Sequence, residues 1–494
     1  MRAATARAGL ASLIVLGALV TLAAAVPTAA RAHALAPRYD LPLPLWHYLA
    51  GAAASVALSF VVVALARQPL RPGAVTLAVN GGAALARALA AGLGVLGAAA
   101  LALLLAAGLL GPIGDWDANL LPVAVWVLWW VGLAFACALV GGLWRALDPW
   151  QALARLVAAR SPRAMQAAPP APRRRPPLRR AFAGGCAPAV VLFIAFAWTE
   201  LVWGGNAHPR ALAALVLAWS ALAWAGMALM GRAAWRRRCD PFDRFFGLLG
   251  RLAPLRLHRR AAGWTIVVRW PGAALLQARL PSRSETAFVI VMLATVGFDG
   301  LKETPAWEAL SAQALALLYA AGVVHAIGYA AAGSLVKTAG LLLAPLAWAG
   351  VYLGFCALSA PLAGEPAGRV ARRFALSLVP IALAYHLAHY LSYLLIQGQA
   401  ALPALSDPFG LGWDLFGTRG REIDIGIIEM RTVWAVAVAS IVIGHVVAVV
   451  VAHAEARRAY GPRALRSQVP MTVLMIAYTA FSLWILSQPI VEAG

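Results

Sequence analysis

Two histidines three residues apart lie in the middle of a long apolar run. They are His386 and His389, within the segment from Tyr385 to Tyr390. On a helix, residues i and i+3 lie on one face, so the two imidazoles can share one metal ion or bracket a substrate. Ionisable groups inside an apolar span are costly and are candidates for function. The pair therefore predicts a functional centre; the alternative is helix packing through hydrogen bonds.

Other ionisable residues in apolar surroundings are candidates for the same centre. His445 lies inside a later apolar run and is a candidate third ligand, whereas His325 is a single histidine in another run, equally consistent with structure and with ligation. Glu200 and Asp299 are the carboxylates closest to apolar runs and are predicted to be catalytic. Three histidines with a carboxylate suit zinc, copper or iron, and the residue types do not choose among these metals.

The N-terminal residues have the pattern of a signal peptide. Arg2 and Arg7 precede an apolar stretch from Leu10 to Val26, and small residues flank Arg31. This pattern predicts a cleavable signal peptide over residues 1–32, with an uncleaved first helix as the alternative. Cleavage would make His33 the first residue, where its α-amine and imidazole can chelate one copper ion; an ordinary peptide boundary is the other interpretation.

Composition excludes a soluble protein. Of the 494 residues, 62% are hydrophobic and 12% are charged, against about 25% charged residues in soluble domains. Eleven apolar runs follow the signal region, most of them near the roughly 20 residues that span a bilayer as a helix. The alternation typical of β-barrels is absent. The chain is therefore predicted to be an all-α, polytopic integral membrane bundle with about 10 to 11 transmembrane helices, in which residues 33–494 form one helical domain.

The positive charge is concentrated in segments between apolar runs. The net charge is +22, and the arginines of connectors 145–182 and 232–285 are predicted to face the cytoplasm rather than to bind nucleic acid. The loop 397–431 is then predicted to lie outside. Both ends of the mature chain are then predicted outside, so the number of crossings must be even. One of the eleven runs therefore does not cross, and the short run Ala287–Phe298 is predicted to be a re-entrant or broken helix.

Common catalytic and nucleotide-binding motifs are missing from the sequence. It contains no Walker loop, no GxSxG elbow and no HExxH pair, so nucleotide use and the usual hydrolase nucleophiles have no support. The cysteines are Cys137, Cys186, Cys239 and Cys356, which are too scattered to predict disulfides or a thiolate metal site.

Several stretches spread over most of the chain resemble one family, the bacterial membrane proteins known as fenitrothion hydrolase-like. The stretches are Ala32–Leu35 with Asp40–Trp46, Gly297–Leu301 with Thr304 and Pro305, Tyr385–Tyr390, Ser406–Gly410 with Gly412–Thr418, Gly444 and His445 with Ala452 and His453, and Pro470 and Met471 with Tyr478, Thr479, Leu483 and Trp484. The resemblance implies organophosphate triester hydrolysis by a multi-pass enzyme of the bacterial inner membrane, in a pair with a second membrane subunit. It implies no particular catalytic residues.

Two functions fit these observations. In the first, a metal-assisted ester hydrolase, a zinc or copper ion held by His386 and His389, with His445, Glu200 or Asp299, lowers the pKa of bound water, and a carboxylate is the general base. In the second, a permease or membrane subunit that handles a metal ion or small solute, the same histidines line a path. Both predict the lipid bilayer and a small-molecule substrate as partners.

Overall fold

The structure is a computed structural model that describes residues 43–65, 74–80, 83–113, 116–160, 185–260, 263–276 and 279–488. The predicted signal peptide and His33 lie outside these residues. The proline-rich part of the first basic connector, residues 161–184, also lies outside them.

The described residues are mainly helical, which confirms the all-α class. The helices are α1 (Leu45–Leu65), α2 (Ala83–Leu110), α3 (Leu120–Leu139), α4 (Leu143–Leu147), α5 (Pro149–Arg160), α6 (Ala187–Leu201), α7 (Pro209–Met230), α8 (Arg232–Arg238), α9 (Pro241–Leu249), α10 (Arg283–Lys302), α11 (Pro305–Ala320), α12 (Val323–Ile327), α13 (Tyr329–Ala363), α14 (Ala367–Phe374), α15 (Val379–Gln397), α16 (Ala401–Ser406), α17 (Met430–Tyr460) and α18 (Ala464–Leu486). Within α3, Val123–Gly132 is a π-helix. Short 3₁₀ turns occupy Trp116–Ala118, Ala273–Leu275, Ala375–Leu378, Gly398–Ala400 and Gly461–Arg463.

Eight stretches of the described chain are long and apolar enough to cross a membrane. They are Leu45–Leu65, Ala88–Leu110, Leu120–Leu139, Pro209–Met230, Arg283–Lys302, Tyr329–Ala363, Ala367–Ser406 and Met430–Leu486, and the last joins α17 to α18. Helix α6 is apolar but shorter. The chain is thus a helical membrane protein by length and composition, while the count of 10 to 11 spans stays a prediction.

The chain divides into two compact units. Unit 1 comprises Met1–Leu70, Leu275–His389 and Met430–Gly494, and unit 2 comprises Arg71–Ala274 and Tyr390–Glu429. In unit 1, α1 packs against α17 and α18, and α13 packs against α10 and α18. In unit 2, α2 packs against α5 and α7.

Helix α10 is unbroken, so the predicted break within Ala287–Phe298 is wrong, while its re-entry stays a prediction. Ser282 caps the helix: its hydroxyl accepts from the backbone N–H of Glu285, whose carboxylate accepts from the N–H of Ser282. This reciprocal cap satisfies two backbone donors and starts the helix several residues before the apolar run. The resulting 20-residue helix reaches Lys302.

One of the eleven apolar runs, Leu310–Ala331, was predicted to be a single span, which is wrong because glycines divide it. Gly322 and Gly328 have φ of 77° and 83°, a conformation that ends helices and that residues with a Cβ rarely adopt. The run therefore consists of α11, α12 and the beginning of α13. Helix α13 is 35 residues long and also includes the next apolar run of the sequence, Thr338–Ala360.

A small sheet in unit 2 has no counterpart in the sequence prediction. Its strands are β1 (Ala74–Asn80), β2 (Val140–Gly141), β3 (Leu255–Arg260) and β4 (Gly263–Arg269), in the order β1-β4-β3-β2. Strand β4 pairs antiparallel with β1 and with β3, whereas β2 and β3 are parallel. The second basic connector therefore contains a β-hairpin as well as α8 and α9.

Candidate functional site

A buried carboxylate links two helices of unit 1. Asp299 lies one turn before the end of α10, and its side chain is 7% exposed. Its Oδ2 atom lies 3.0 Å from Nε2 of His389 on α15. Its Oδ1 atom lies 3.2 Å from Nζ of Lys302 on its own helix. Both oxygens of Asp299 thus contact a group that is cationic or can become cationic.

Lys302 extends this arrangement towards the end of the span. Its ammonium lies 3.0 Å from Oε1 of Glu303 as well as close to Asp299. The row Glu303, Lys302, Asp299 and His389 therefore alternates acids with basic groups. A charge buried in an apolar span requires such a partner, and here the cation is a lysine of the same helix.

His386 lies one helical turn before His389 and is buried. It is close enough to interact electrostatically with both His389 and Asp299. The two histidines of the i, i+3 pair are thus both near the carboxylate of Asp299, and His389 makes the direct contact.

Gly300, which follows Asp299 in α10, makes room for a tyrosine hydroxyl, and Gly297 lies near a second one. A Cβ atom at Gly300 would collide with Oη of Tyr385, whereas one at Gly297 would lie 3.7 Å from Oη of Tyr478. Tyr385 is fully buried and interacts electrostatically with Tyr478 and Asp299. Gly297 and Gly300 lie on one face of α10, next to the phenols of Tyr478 and Tyr385, and Asp299 projects from a different face of the helix.

His445 belongs to the same unit but has a different environment. It is fully buried on α17, and Nδ1 lies 2.8 Å from the carbonyl oxygen of Ile441. Because the carbonyl can only accept, Nδ1 carries the proton and the lone pair is on Nε2. The imidazole lies 5.9 Å, between ring centroids, from the ring of Tyr478.

The second predicted acid, Glu200, lies in unit 2. Its Oε1 accepts a hydrogen bond of 3.2 Å from the hydroxyl of Tyr390, and its backbone carbonyl accepts one from Asn206. Asp299 belongs to unit 1. The structure thus gives each predicted catalytic acid its own local partners.

His325 is not the buried residue that the sequence predicted. It lies on the short helix α12, is exposed, and has its ring 4.6 Å from that of Tyr319 between centroids. Since glycines end the helices on either side of α12, its residues are not part of a packed span. His33, the other outlying candidate, is not among the described residues.

The residues near Asp299 do not fit the predicted metal set. Among the described residues, no group of three or more histidine, cysteine, aspartate or glutamate side chains is arranged to hold a metal ion. The ammonium of Lys302 also lies against the carboxylate that would be needed as an anionic ligand, and a fixed cation opposes the binding of a second one. The zinc or copper ion therefore stays a prediction without an assembled donor set in this part of the chain.

No protein family, curated protein or solved structure matches the chain. The fold and the site define a class, a helical membrane protein in which a buried aspartate contacts a lysine and a histidine. The fenitrothion hydrolase-like resemblance stays a prediction.

Three residues of the site were missed in the sequence. Lys302 lies three residues after Asp299 and hence on the same helical face, a signal that was available. The contribution of Tyr385 follows from its place beside His386. That of Tyr478 depends on how α18 packs, which no local pattern reveals.

Proposed function

We propose that this chain is a membrane permease, or the membrane subunit of one, in which Asp299, Lys302 and His389 form a titratable centre that handles a small solute. The observation that carries the proposal is the contact of one buried carboxylate with both a lysine and a histidine. Protonation of a buried carboxylate changes which partner it holds. Series of acidic and basic side chains within membrane spans are typical of proton-linked transport.

The charge balance favours transport over metal chemistry. A carboxylate that contacts an ammonium and an imidazole is largely neutralised, so it has little excess charge with which to hold a divalent ion. A solute or proton that competes for Asp299 would release Lys302 to its other partner, Glu303.

Charge movement in reconstituted protein tests this proposal. Proteoliposomes on a solid-supported membrane are exposed to a jump from about pH 8 to about pH 6, which brackets the ordinary histidine pKa of roughly 6.5. We expect a transient current from the wild type and its loss in Asp299→Asn. Jumps in sugars, amino acids and divalent ions at constant pH then identify the solute class.

The matched control is Glu308→Gln, which removes an exposed carboxylate from the next helix, α11. It should give the wild-type current. A current in Asp299→Asn equal to that of the wild type, or a wild-type current no larger than that of empty liposomes, would contradict the proposal.

Hydrolysis is the second candidate, and the Asp299–His389 contact is the observation that favours it. A carboxylate that orients an imidazole is a common device for general-base catalysis. The assay is release of nitrophenolate from a nitrophenyl phosphotriester, with and without chelator. Cleavage by the wild type, lost in His389→Gln and in His386→Gln, would favour the hydrolase; no cleavage above the heat-treated protein would exclude this substrate.

A further inference from the structure

Three arginines of unit 2 form a cluster of like charges. Arg155 lies on α5, and Arg232 and Arg236 lie on α8. Arg155 is exposed, whereas the other two are half-buried. In the part of the chain that the structure describes, none of the three forms an ion pair. Their charges are therefore not neutralised by direct contact with a carboxylate.

A hydrogen bond joins the two helices at this cluster. Nε of Arg232 donates to Oε1 of Gln151 on α5 over 3.4 Å. Residues four apart lie on the same helical face. Arg155 follows Gln151 by four residues and so lies on its face of α5. In the same way, Arg236 shares a face of α8 with Arg232. The three guanidinium groups are thereby brought to one side of the contact between α5 and α8.

The arginines are close enough to repel one another. Burial, together with the charges of Arg155 and Arg236, lowers the pKa of the Arg232 guanidinium. Asp148 has the opposite effect, but its carboxylate already accepts from the backbone N–H of Gln151 as the cap of α5. Three positive charges thus face one carboxylate that is engaged elsewhere, and an anion would relieve their repulsion.

The side-chain amide of Gln151 provides an uncharged donor beside the arginines. Gln151 is 3% exposed, and its Nε2 atom has no hydrogen-bond partner among the described residues. Because Oε1 accepts from Arg232, Nε2 is the nitrogen of the amide and can only donate. A buried donor that is left unpaired costs free energy. The cluster therefore has guanidinium and amide donors for an anion with several oxygen atoms.

Aromatic rings fix the positions of the two helices. Trp219 on α7 lies between Trp150 on α5 and Trp235 on α8, with distances of 6.2 Å and 6.3 Å between ring centroids. Trp150 and Trp235 are buried. The arginines are thus held on packed helices, which favours a defined arrangement of their donors.

Taken together, the geometry points to a binding site for the phosphate group of an anionic phospholipid, with the guanidinium groups of the three arginines and the amide of Gln151 as donors. Arginine matches the oxygen atoms of a phosphate with its planar fork of N–H groups.

The surroundings of the cluster favour a lipid over free phosphate. Helix α8 begins directly after α7, a candidate membrane span that ends at Met230, so the arginines lie at the level of the lipid headgroups. Leu156 and Val157, which follow Arg155, are 40% and 61% exposed and can contact acyl chains. Basic pockets beside membrane helices commonly bind anionic headgroups. The site lies in unit 2 and does not depend on the proposed function of Asp299.

Native mass spectrometry of the purified protein in detergent tests the site. Delipidated protein is titrated with phosphatidylglycerol, which is anionic, or with phosphatidylcholine, which has the same phosphate group but no net charge. Inorganic phosphate is added in a third arm. We expect one phosphatidylglycerol to bind at a concentration several-fold lower than phosphatidylcholine, and millimolar phosphate not to displace it.

Four variants locate the binding. Arg232→Gln and Arg236→Gln should each weaken phosphatidylglycerol binding several-fold. Arg237→Gln is the matched control, because it removes the same charge from an exposed position of α8 and should leave binding unchanged. Gln151→Glu keeps every arginine but places a carboxylate against Arg232, so it should also weaken binding. Size-exclusion profiles and circular dichroism establish which variants fold, and any one folded variant of the cluster is sufficient for the comparison.

Equal binding of the two lipids by the wild type, or equal binding of phosphatidylglycerol by the wild type and the folded variants of the cluster, would overturn the inference. Displacement of phosphatidylglycerol by millimolar phosphate would support a phosphate site and contradict a lipid as its ligand. These outcomes are read without the pH-jump current, so they are distinguishable from failure of the permease proposal.

Discussion

The aspartates of the two units are held in different ways. In unit 1, Asp299 contacts the side chains of Lys302 and His389. In unit 2, Asp148 and Asp240 cap helices: Asp148 accepts from the backbone N–H of Gln151 at 3.0 Å, and Asp240 accepts from that of Phe242 at 2.9 Å. A backbone N–H is fixed by the fold, whereas a side chain can change partners. The carboxylates of Asp148 and Asp240 are therefore explained by local structure, and Asp299 is not.

A short sequence pattern marks the structural carboxylates. Asp148, Asp240 and Asp407 are each followed by proline. Proline is favoured at the first position of a helix because its missing N–H would be unpaired there, and a preceding aspartate is a strong N-cap. Asp148 and Asp240 cap α5 and α9 in this way. Asp407 instead accepts hydrogen bonds from the backbone of a loop. Asp299 is followed by glycine instead and lies inside helix α10, and the hydroxyl of Tyr385 packs against that glycine.

The largest expected effect on stability is that of Asp299→Asn. Removal of one partner from a buried ion pair costs up to about 3–5 kcal/mol, and the remaining contact of Lys302 with Glu303, at 3.0 Å, reduces that cost. We expect a clearly lower unfolding temperature in detergent, measured by differential scanning fluorimetry. The double variant Asp299→Asn/Lys302→Met also removes the ammonium that Asp299 had neutralised and should recover part of the stability, although Glu303 then loses its contact with Lys302.

Stability and pH-jump current should respond differently in the single and the double variant. Neither variant should carry the current, although only the single variant should be strongly destabilised. Recovery of the current in the double variant would mean that the Asp299–Lys302 pair is structural, like the carboxylates of unit 2, and the contrast between the units would fail.

A smaller effect is expected for Asp148, which lies outside the predicted spans. Burial raises its pKa to about 6; the hydrogen bond from Gln151 opposes this, and the charge of Asp243 adds to it. Because the folded pKa is raised, stability is highest below about pH 4 and is lost as the pH rises to about 6. A shift of this size corresponds to at most roughly 3 kcal/mol.

Asp148→Asn isolates this contribution, because asparagine keeps the cap but cannot ionise. Unfolding temperatures of wild type and variant are compared between about pH 4 and pH 7. We expect the variant to become the more stable of the two as the pH rises. A constant difference across this range would show that Asp148 titrates normally, so that its burial has no electrostatic consequence.

The glycines beside Asp299 give a third test. Gly300→Ala would bring a Cβ into collision with Oη of Tyr385, whereas Gly297→Ala would have its nearest contact at 3.7 Å, an ordinary van der Waals distance. Overpacking of this kind costs about 2 kcal/mol. We expect Gly300→Ala to lower the unfolding temperature, Gly297→Ala to leave it nearly unchanged, and Tyr385→Phe to rescue the former.

The sequence predicted part of the fold and part of the candidate site. Apolar runs and the i, i+3 histidines were sufficient to predict membrane helices and to select His389 and Asp299 as candidates. The break in Leu310–Ala331 was not foreseen, because its glycines resemble the packing glycines common in membrane helices. The contact between Asp299 and His389, separated by 90 residues, depends on helix packing and has no local signal. The pairing of β1 with β4 has no local signal because the two strands are distant in the chain, whereas the adjacent β3–β4 hairpin was missed because it lies in a segment interpreted only as a basic connector.

The smallest effect is expected in the loop of unit 2, where Asp407 accepts from the backbone N–H of Leu411 and of Gly412, each at 2.9 Å. Desolvation opposes ionisation, but these donors and the charge of Arg419 outweigh it and lower the pKa of Asp407. The stabilisation that the ionised Asp407 gives to the loop is therefore present above the ordinary pKa of about 3.9. It is lost as the pH falls through the lowered pKa of the folded state.

Asp407→Ala should accelerate amide hydrogen exchange at Leu411 and Gly412 without changing the global unfolding temperature, because the two lost hydrogen bonds are local to one turn. Asp424→Ala is the matched control, since Asp424 accepts from the N–H of Gly426 elsewhere in the loop and should affect exchange only there. The pH-jump current should persist in both variants. Loss of the current in Asp407→Ala alone would show that a backbone-bound carboxylate also has a functional role, and the type of partner would then no longer distinguish structural from functional aspartates in this protein.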